Sequence, residues 1–281
     1  MPAPHAFFTR APHSLAGWVS LFDPSALPVL ASTALALEEL RAVEDAVDAH
    51  LLAEAIASDP LMTLKLLSHL ARLRRGRDGS DTETVTEALV MLGIPPFFRA
   101  FGPQTAAEDL LADEPAALAG FCAVLQRSHR AARFAIGFAV HRMDHDAPLI
   151  HEAALLHDFA ELLLWLRAPA LALEIARRQQ FDPDLRSATL QRQILHVELA
   201  ELQHALMEAW RLPATLVHIA DGRARTVTPQ VRNVRLAIRV ARHSARGWDN
   251  PALPDDVEQI GHLLQLGPEP TLRLLREIDA D

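Results

Sequence analysis

The chain has no tyrosine, one cysteine and one lysine among its 281 residues. Each scarcity removes a class of function. Cys122 is the only cysteine, so no internal disulfide can form. It lies in an apolar helical stretch and reads as a small core residue. Without a disulfide framework the expected location is cytoplasmic. Aromatic residues make up 5% of the chain, too few to build base-stacking platforms, and the net charge of −9 opposes the phosphate backbone, so no nucleic-acid partner is expected. Arg, Glu or Pro breaks every apolar run, which leaves no membrane span and no membrane partner. The first twenty residues lack the continuous apolar block of a secretory signal. No GxSxG, Walker-A or GxGxxG pattern occurs. Lys65 is the single lysine and every other strong base is arginine, which reads as a coding bias, so arginine abundance by itself does not signal phosphate binding.

What is present is helical periodicity. Residues 1–22, with scattered Pro, His and Arg, read as a flexible N-terminal tail. Leu35, Leu37 and Leu40 give a helix over 31–43, and Leu51, Leu52, Ala55 and Ile56 continue the spacing. Asp59-Pro60 supplies an N-cap and a first-turn proline for the next helix. Residues 72–80 form a charged, Gly-containing loop, read as a solvated linker. Thr84-x-x-Glu87 fits a capping box. The acidic, Pro-containing stretch 106–116 marks an internal boundary, and a long helix is predicted from Pro115 to Arg142. Asp182-Pro183 caps a further helix predicted to reach Trp210. Thr228-Pro229 begins another, and 255–266 and 268–279 suit two short amphipathic helices. No strand, repeat or low-complexity tract is evident, so the fold class is all-α, helix packed on helix.

The stretch that organises the chain is Leu155-Leu156-His157-Asp158-Phe159-Ala160-Glu161, inside an apolar run from Pro148 to Leu166. A helix that is apolar nearly all round is a buried one. An imidazole and a carboxylate within it need partners, because burying them alone is costly. One helix is predicted over 148–166, with Ala153, Ala154, Leu155, Leu156, Leu162 and Leu163 in the core.

This segment resembles the LLHD(I)G signature of the HD-domain metal-dependent phosphohydrolases. More narrowly, the chain is similar to their HD-related output domain (HDOD) branch, known from bacterial signalling proteins. Ala26-Leu27-Pro28-Val29-Leu30 matches the LPxLP-like lead-in of that branch. Asp59-Pro60-Leu61-Met62-Thr63-Leu64-Lys65-Leu66-Leu67 matches its DPxLxxxLL helix, Glu87-Ala88-Leu89-Val90-Met91-Leu92-Gly93 its turn-helix, and Trp210-Arg211-Leu212-Pro213 its WxLP. Ala71-Arg72 departs from the Asn-Ser often found after the LL helix. The resemblance implies a multi-helix HDOD fold with an N-terminal helical lobe at 23–112, an HD-like lobe at 113–250 and a C-terminal helical extension at 251–281.

The resemblance also implies a pocket built around His157 and Asp158. The first family ligand falls either on His129 or, in the other register, on Arg127; read without the resemblance, His129 is a partly exposed polar residue. The Gly and Lys that follow the His-Asp pair in active relatives are Ala160 and Glu161, and a glutamate there repels a phosphate. The next family His falls on Leu199, with His196 one helical turn earlier. The His-His pair falls near Arg223-Ala224, leaving His218 and Asp221 off register. The last ligand, an Asp, is replaced by Arg242.

The expectation is therefore a degenerate HD pocket made of His157, Asp158, His129 and Arg242, with no catalytic residue, metal or other cofactor. Arg242 would give a bidentate pair of hydrogen bonds to Asp158, and its removal would cost roughly 3–5 kcal/mol. Its neighbours Arg232, Arg235, Arg239 and Arg246 read as a solvated basic edge beside a core stripe of Val231, Val234, Ile238, Ala241 and Ala245. Functionally this implies a non-catalytic, stand-alone regulatory module that binds a signalling protein. The alternative is a phosphohydrolase for a nucleotide or signalling phosphate ester, with a divalent metal at His157 and Asp158.

Overall fold

The structure is a computed structural model that describes residues 7–74, 82–182, 185–223 and 226–280. Helices α1 (Leu15–Val19), α2 (Ala31–Ala42), α3 (Ala49–Ile56), α4 (Pro60–Leu73), α5 (Val85–Leu92), α6 (Ile94–Ala100) and α7 (Ala107–Leu110) lead to the long α8 (Pro115–Arg142). There follow α9 (Ala147–Leu155), α10 (Phe159–Arg167), α11 (Pro169–Phe181), α12 (Ser187–Leu195), α13 (Leu199–Ala209), α14 (Ala214–Ala220), α15 (Pro229–His243), α16 (Leu253–Leu264) and α17 (Pro268–Ala280). Among the described residues there is no strand, only an isolated bridge between Val29 and Ala106. The all-α expectation holds.

Local chemistry starts these helices where the sequence places the signals. The Asp59 carboxylate accepts from the N–H groups of Leu61 and Met62 at 2.8 and 2.9 Å and caps α4. Thr84 and Glu87 close a capping box on α5. The Thr228 side chain caps α15.

The chain divides into two compact units, interleaved along its length. One takes the chain up to Val124 together with Phe159–Pro213; the other takes Leu125–Asp158 together with Ala214 onward. The boundaries at 112 and 250 follow motif order rather than compactness, and the two divisions do not coincide.

In the first unit, residues 7–22 are not a flexible tail. Trp18 on α1 is fully buried and its Nε1 donates to the Leu195 carbonyl at 2.8 Å. The Arg167 guanidinium lies 5.0 Å from the centre of the Phe8 ring. A buried indole with a satisfied N–H anchors a segment that composition alone reads as loose. Residues 1–6, and 75–81 of the charged loop, lie outside the described residues.

In the second unit, α14 and α15 pack on α9, and α16 on α15. Gly137 of α8 admits the Ile278 side chain of α17, where any Cβ would clash. Residues 251–280 are therefore integral to this unit rather than an extension.

Two helices read as continuous are broken. The run from Pro148 to Leu166 divides into α9 and α10, with the His157 N–H closing a tight turn onto the Ala154 carbonyl at 3.3 Å. Neither Gly nor Pro marks that break; it falls on the polar pair, whose partners are tertiary. The stretch from 182 to 210 divides into α12 and α13, because His196 takes a left-handed conformation at φ 63° and ends α12; Pro183 lies outside the described residues. Ala153, Ala154, Leu155, Leu156, Leu162 and Leu163 are nonetheless at most 1% exposed. Truncating Leu156 to Ala should cost about 2–5 kcal/mol in urea unfolding, and a loss under about 0.5 kcal/mol would place it at the periphery.

Candidate functional site

In the second unit two arginines meet at Asp158, which directly follows the turn closing α9. Its carboxylate is about one-tenth exposed and meets two guanidinium groups. Arg127 Nε on α8 donates to one oxygen at 2.7 Å, and Arg242 Nη2 on α15 donates to the other at 2.7 Å. The sequence supplies these partners from 31 and 84 residues away. Arg242 bonds through a single N–H rather than as a bidentate fork, and its side chain is 47% exposed against 22% for Arg127.

Burial pushes the Asp158 carboxyl up, but the charges of Arg242 and Arg127, helped by His157 and the Arg127 hydrogen bond, outweigh it and hold the group well below the usual carboxylate range. The pKa of His157 is lowered as well, which for a base means that the neutral form is favoured. Burial favours its neutral form, Asp158 opposes this, Arg242 reinforces it, and the Ala220 backbone partly offsets it, so its pKa lies below the ordinary 6.5. Its Nε2 is 4.0 Å from Asp158, and Gly222 leaves room for the ring.

The remaining expected residues go elsewhere. His129 is half-buried on α8, and its charge lowers the pKa of His151 on α9, a group already depressed by burial. His196 belongs to the first unit, where it stacks on His13 with ring centres 5.4 Å apart. The Asp221 side chain accepts from the Arg223 N–H at 2.9 Å. Ala224 lies outside the described residues.

The basic edge of α15 is only partly solvated. Arg239 pairs with the fully buried Asp256 at 2.5 Å, and His243 meets the other oxygen of the same carboxylate at 2.5 Å. Arg232 and Arg246 are exposed, as is Ala245 of the expected core stripe, while Asn233, Leu236, Ala237 and Val240 join the core. A second arginine on α8, Arg130, binds Asp279 through Nε and Nη2 at 2.8 and 2.9 Å and also reaches the Ser244 hydroxyl. No sequence signal points to this pair, because its members are 149 residues apart.

An HD-type metal centre needs several unprotonated His and Asp side chains converging with free lone pairs. These residues do not fit that requirement: both Asp158 oxygens accept from cations, and among the described residues no three His, Cys, Asp or Glu side chains cluster closely enough to hold an ion.

The HDOD domain family model matches residues 27–223, more than two-thirds of the chain, and the chain belongs to that family. Among solved structures it is similar to the MmoQ response regulator from Methylococcus capsulatus str. Bath, at 23% identity over 89% of this chain and 98% of that one, with a TM-score of 0.66. A virulence factor from Campylobacter jejuni subsp. jejuni matches at 16% identity over 94% and 98%, TM-score 0.65. An HDOD domain protein of unknown function from Geobacter sulfurreducens matches at 15% identity over 94% and 96%, TM-score 0.50. At these identities the likeness is one of fold. No curated protein matches the chain. Among the described residues no helix is long and apolar enough to cross a membrane.

Two outcomes follow for stability. Changing Asp158 to Ala leaves two neighbouring cations without their shared anion and should cost roughly 3–5 kcal/mol. Arg127→Ala should cost about 1.5–3 kcal/mol, the loss of one shielded charged hydrogen bond. Arg242→Ala should cost about 1 kcal/mol or less, because solvent screens a side chain exposed to this extent. Urea unfolding checks the order, and an Arg242 effect equal to that of Asp158 would contradict it. The pH dependence has a definite sign. Both folded-state pKa values are depressed, so both contributions are complete at neutral pH and are lost on acidification. The His157 contribution begins to fall below about 6.5 and the Asp158 contribution below about 4. His157→Gln should therefore flatten the stability profile between about pH 5 and 7, and an unchanged slope there would show that His157 is not held neutral.

Proposed function

We propose that this protein is a non-catalytic HDOD regulatory module that acts by binding a signalling protein. The observation that carries this reading is the saturation of Asp158 by Arg127 and Arg242. A divalent ion would have to displace two guanidinium groups and sit beside their positive charge. His157, held neutral by burial, stands beside this pair with its Nε2 4.0 Å from Asp158. The MmoQ relative is described as a response regulator, which agrees with a place in signal transduction. His157, Asp158, Arg127 and Arg242 then form the inactivated counterpart of an HD pocket.

Purified full-length protein, produced in medium supplemented with iron and manganese, tests this against metal-dependent hydrolysis. Elemental analysis should find well under about 0.1 metal ion per chain. Phosphate-ester hydrolysis with added manganese should not exceed that of the Asp158→Ala variant. Stoichiometric metal that disappears in His157→Ala, with hydrolysis that disappears alongside it, would establish the enzyme instead.

A further inference from the structure

The first unit contains a cavity of about 290 Å³, remote in sequence from the Asp158 cluster. The segment Ser25–Pro28 forms one wall, α4 a second, and the chain from Ala100 to Thr105 a third. Hydrogen bonds fix the first and third walls together: Val29 N–H donates to the Thr105 carbonyl at 3.0 Å, and Ala107 N–H to the Val29 carbonyl at 2.7 Å.

Three basic residues of α4 line this cavity: Lys65, His69 and Arg72. They stand four and three residues apart, which places them on one face of the helix. Among the described residues no carboxylate lines it. Two acids act from outside the lining, Asp59 on Lys65 and Asp23 on both Arg72 and Lys65. Asp59 is fully buried and already accepts from the N–H groups of Leu30, Leu61 and Met62. Asp23 is exposed and bonded to Ser25.

The donors are not exhausted. Lys65 Nζ donates to the Leu27 carbonyl at 2.7 Å and to Gln104 Oε1 at 2.6 Å, two of its three N–H groups. Those two bonds fix the ammonium in place. The Arg72 side chain makes no hydrogen bond with any described residue. His69 packs edge-on against Phe101 with ring centres 5.0 Å apart. Leu27, Pro28 and Phe101 give the remaining wall an apolar character.

We propose that this cavity binds a small organic phosphate, its phosphoryl group held by Lys65 and Arg72 and its organic body against Phe101. A fixed ammonium and a guanidinium with no hydrogen-bond partner among the described residues suit a dianion with three peripheral oxygens better than a carboxylate with two. The volume, at the lower end of ligand pockets, limits the guest to a small molecule. Burial holds the pKa of both Lys65 and His69 down, and the Arg72 charge adds to this at His69. A bound dianion reverses that displacement. The proposal does not depend on whether the Asp158 cluster is catalytic.

Phenyl phosphate, benzoate and inorganic phosphate, titrated into the full chain by calorimetry, test it. Phenyl phosphate should saturate with a Kd below about 1 mM. Arg72→Gln removes an exposed side chain without internal bonds, so the fold is kept, and it should weaken binding about tenfold or more. Arg242→Gln, in the other unit, should leave the Kd within about twofold. The His69 ring pKa, followed by NMR, should rise on saturation. Inorganic phosphate binding more weakly than phenyl phosphate would support the role of Phe101. Failure of phenyl phosphate to saturate by about 10 mM overturns the proposal. So does equal affinity for benzoate, or loss of binding in Arg242→Gln with Arg72→Gln unaffected.

Discussion

A carboxylate shielded from water must be protonated or partnered, and Asp158 is partnered twice. Its two arginines come from helices far apart in sequence, and together they hold the carboxylate in its charged form. The pairing therefore acts as a register constraint on the second unit: α8, the end of α9 and α15 have to meet at one point. Arg130 with Asp279 and Arg239 with Asp256 repeat the device at other points, tying α8 to α17 and α15 to α16. Apolar burial supplies the bulk of the folding free energy and has little directional preference. The arginine-carboxylate contacts supply direction.

How much of this is legible in the sequence depends on how local the signal is. Helix starts carry their own chemistry, and Asp59, Thr84 with Glu87, and Thr228 are readable without any tertiary knowledge. Helix ends are harder here. Met143, His196, Arg211 and Gln265 adopt left-handed backbone conformations where glycine is the usual occupant, so their positions give no warning. The break between α9 and α10 is hidden for a related reason: what interrupts the helix is the tertiary pairing of His157 and Asp158, and the flanking residues are all good helix formers.

The Asp158 cluster divides along the same line. His157 and Asp158 are adjacent and stand out against an apolar background. Arg242 can be placed only by counting from family landmarks. Arg127 competes with His129 for one family position, and which of them reaches Asp158 is decided by rotation about α8, something a single sequence does not encode. The degree of exposure is equally invisible. Arg242 reaches its partner from a side chain nearly half in solvent, which makes it the weaker of the two contacts despite equal distances. The clustering of Lys65, His69 and Arg72 at one cavity is similar: their helical spacing is readable, but the walls that enclose them come from Ser25–Pro28 and the chain after α6.

The double clamp on Asp158 also bears on how such a chain can evolve. Freeing both Asp158 oxygens would require both arginines to be replaced, and each replacement removes a favourable partner of the same carboxylate before any new partner can compensate. Loss of Asp158 first is worse, because it leaves the cations facing one another. Every single-step route therefore begins with a loss of stability, and the gain arrives only after several changes are combined. A site of this kind is held by sign epistasis: selection for stability alone keeps the arginines in place.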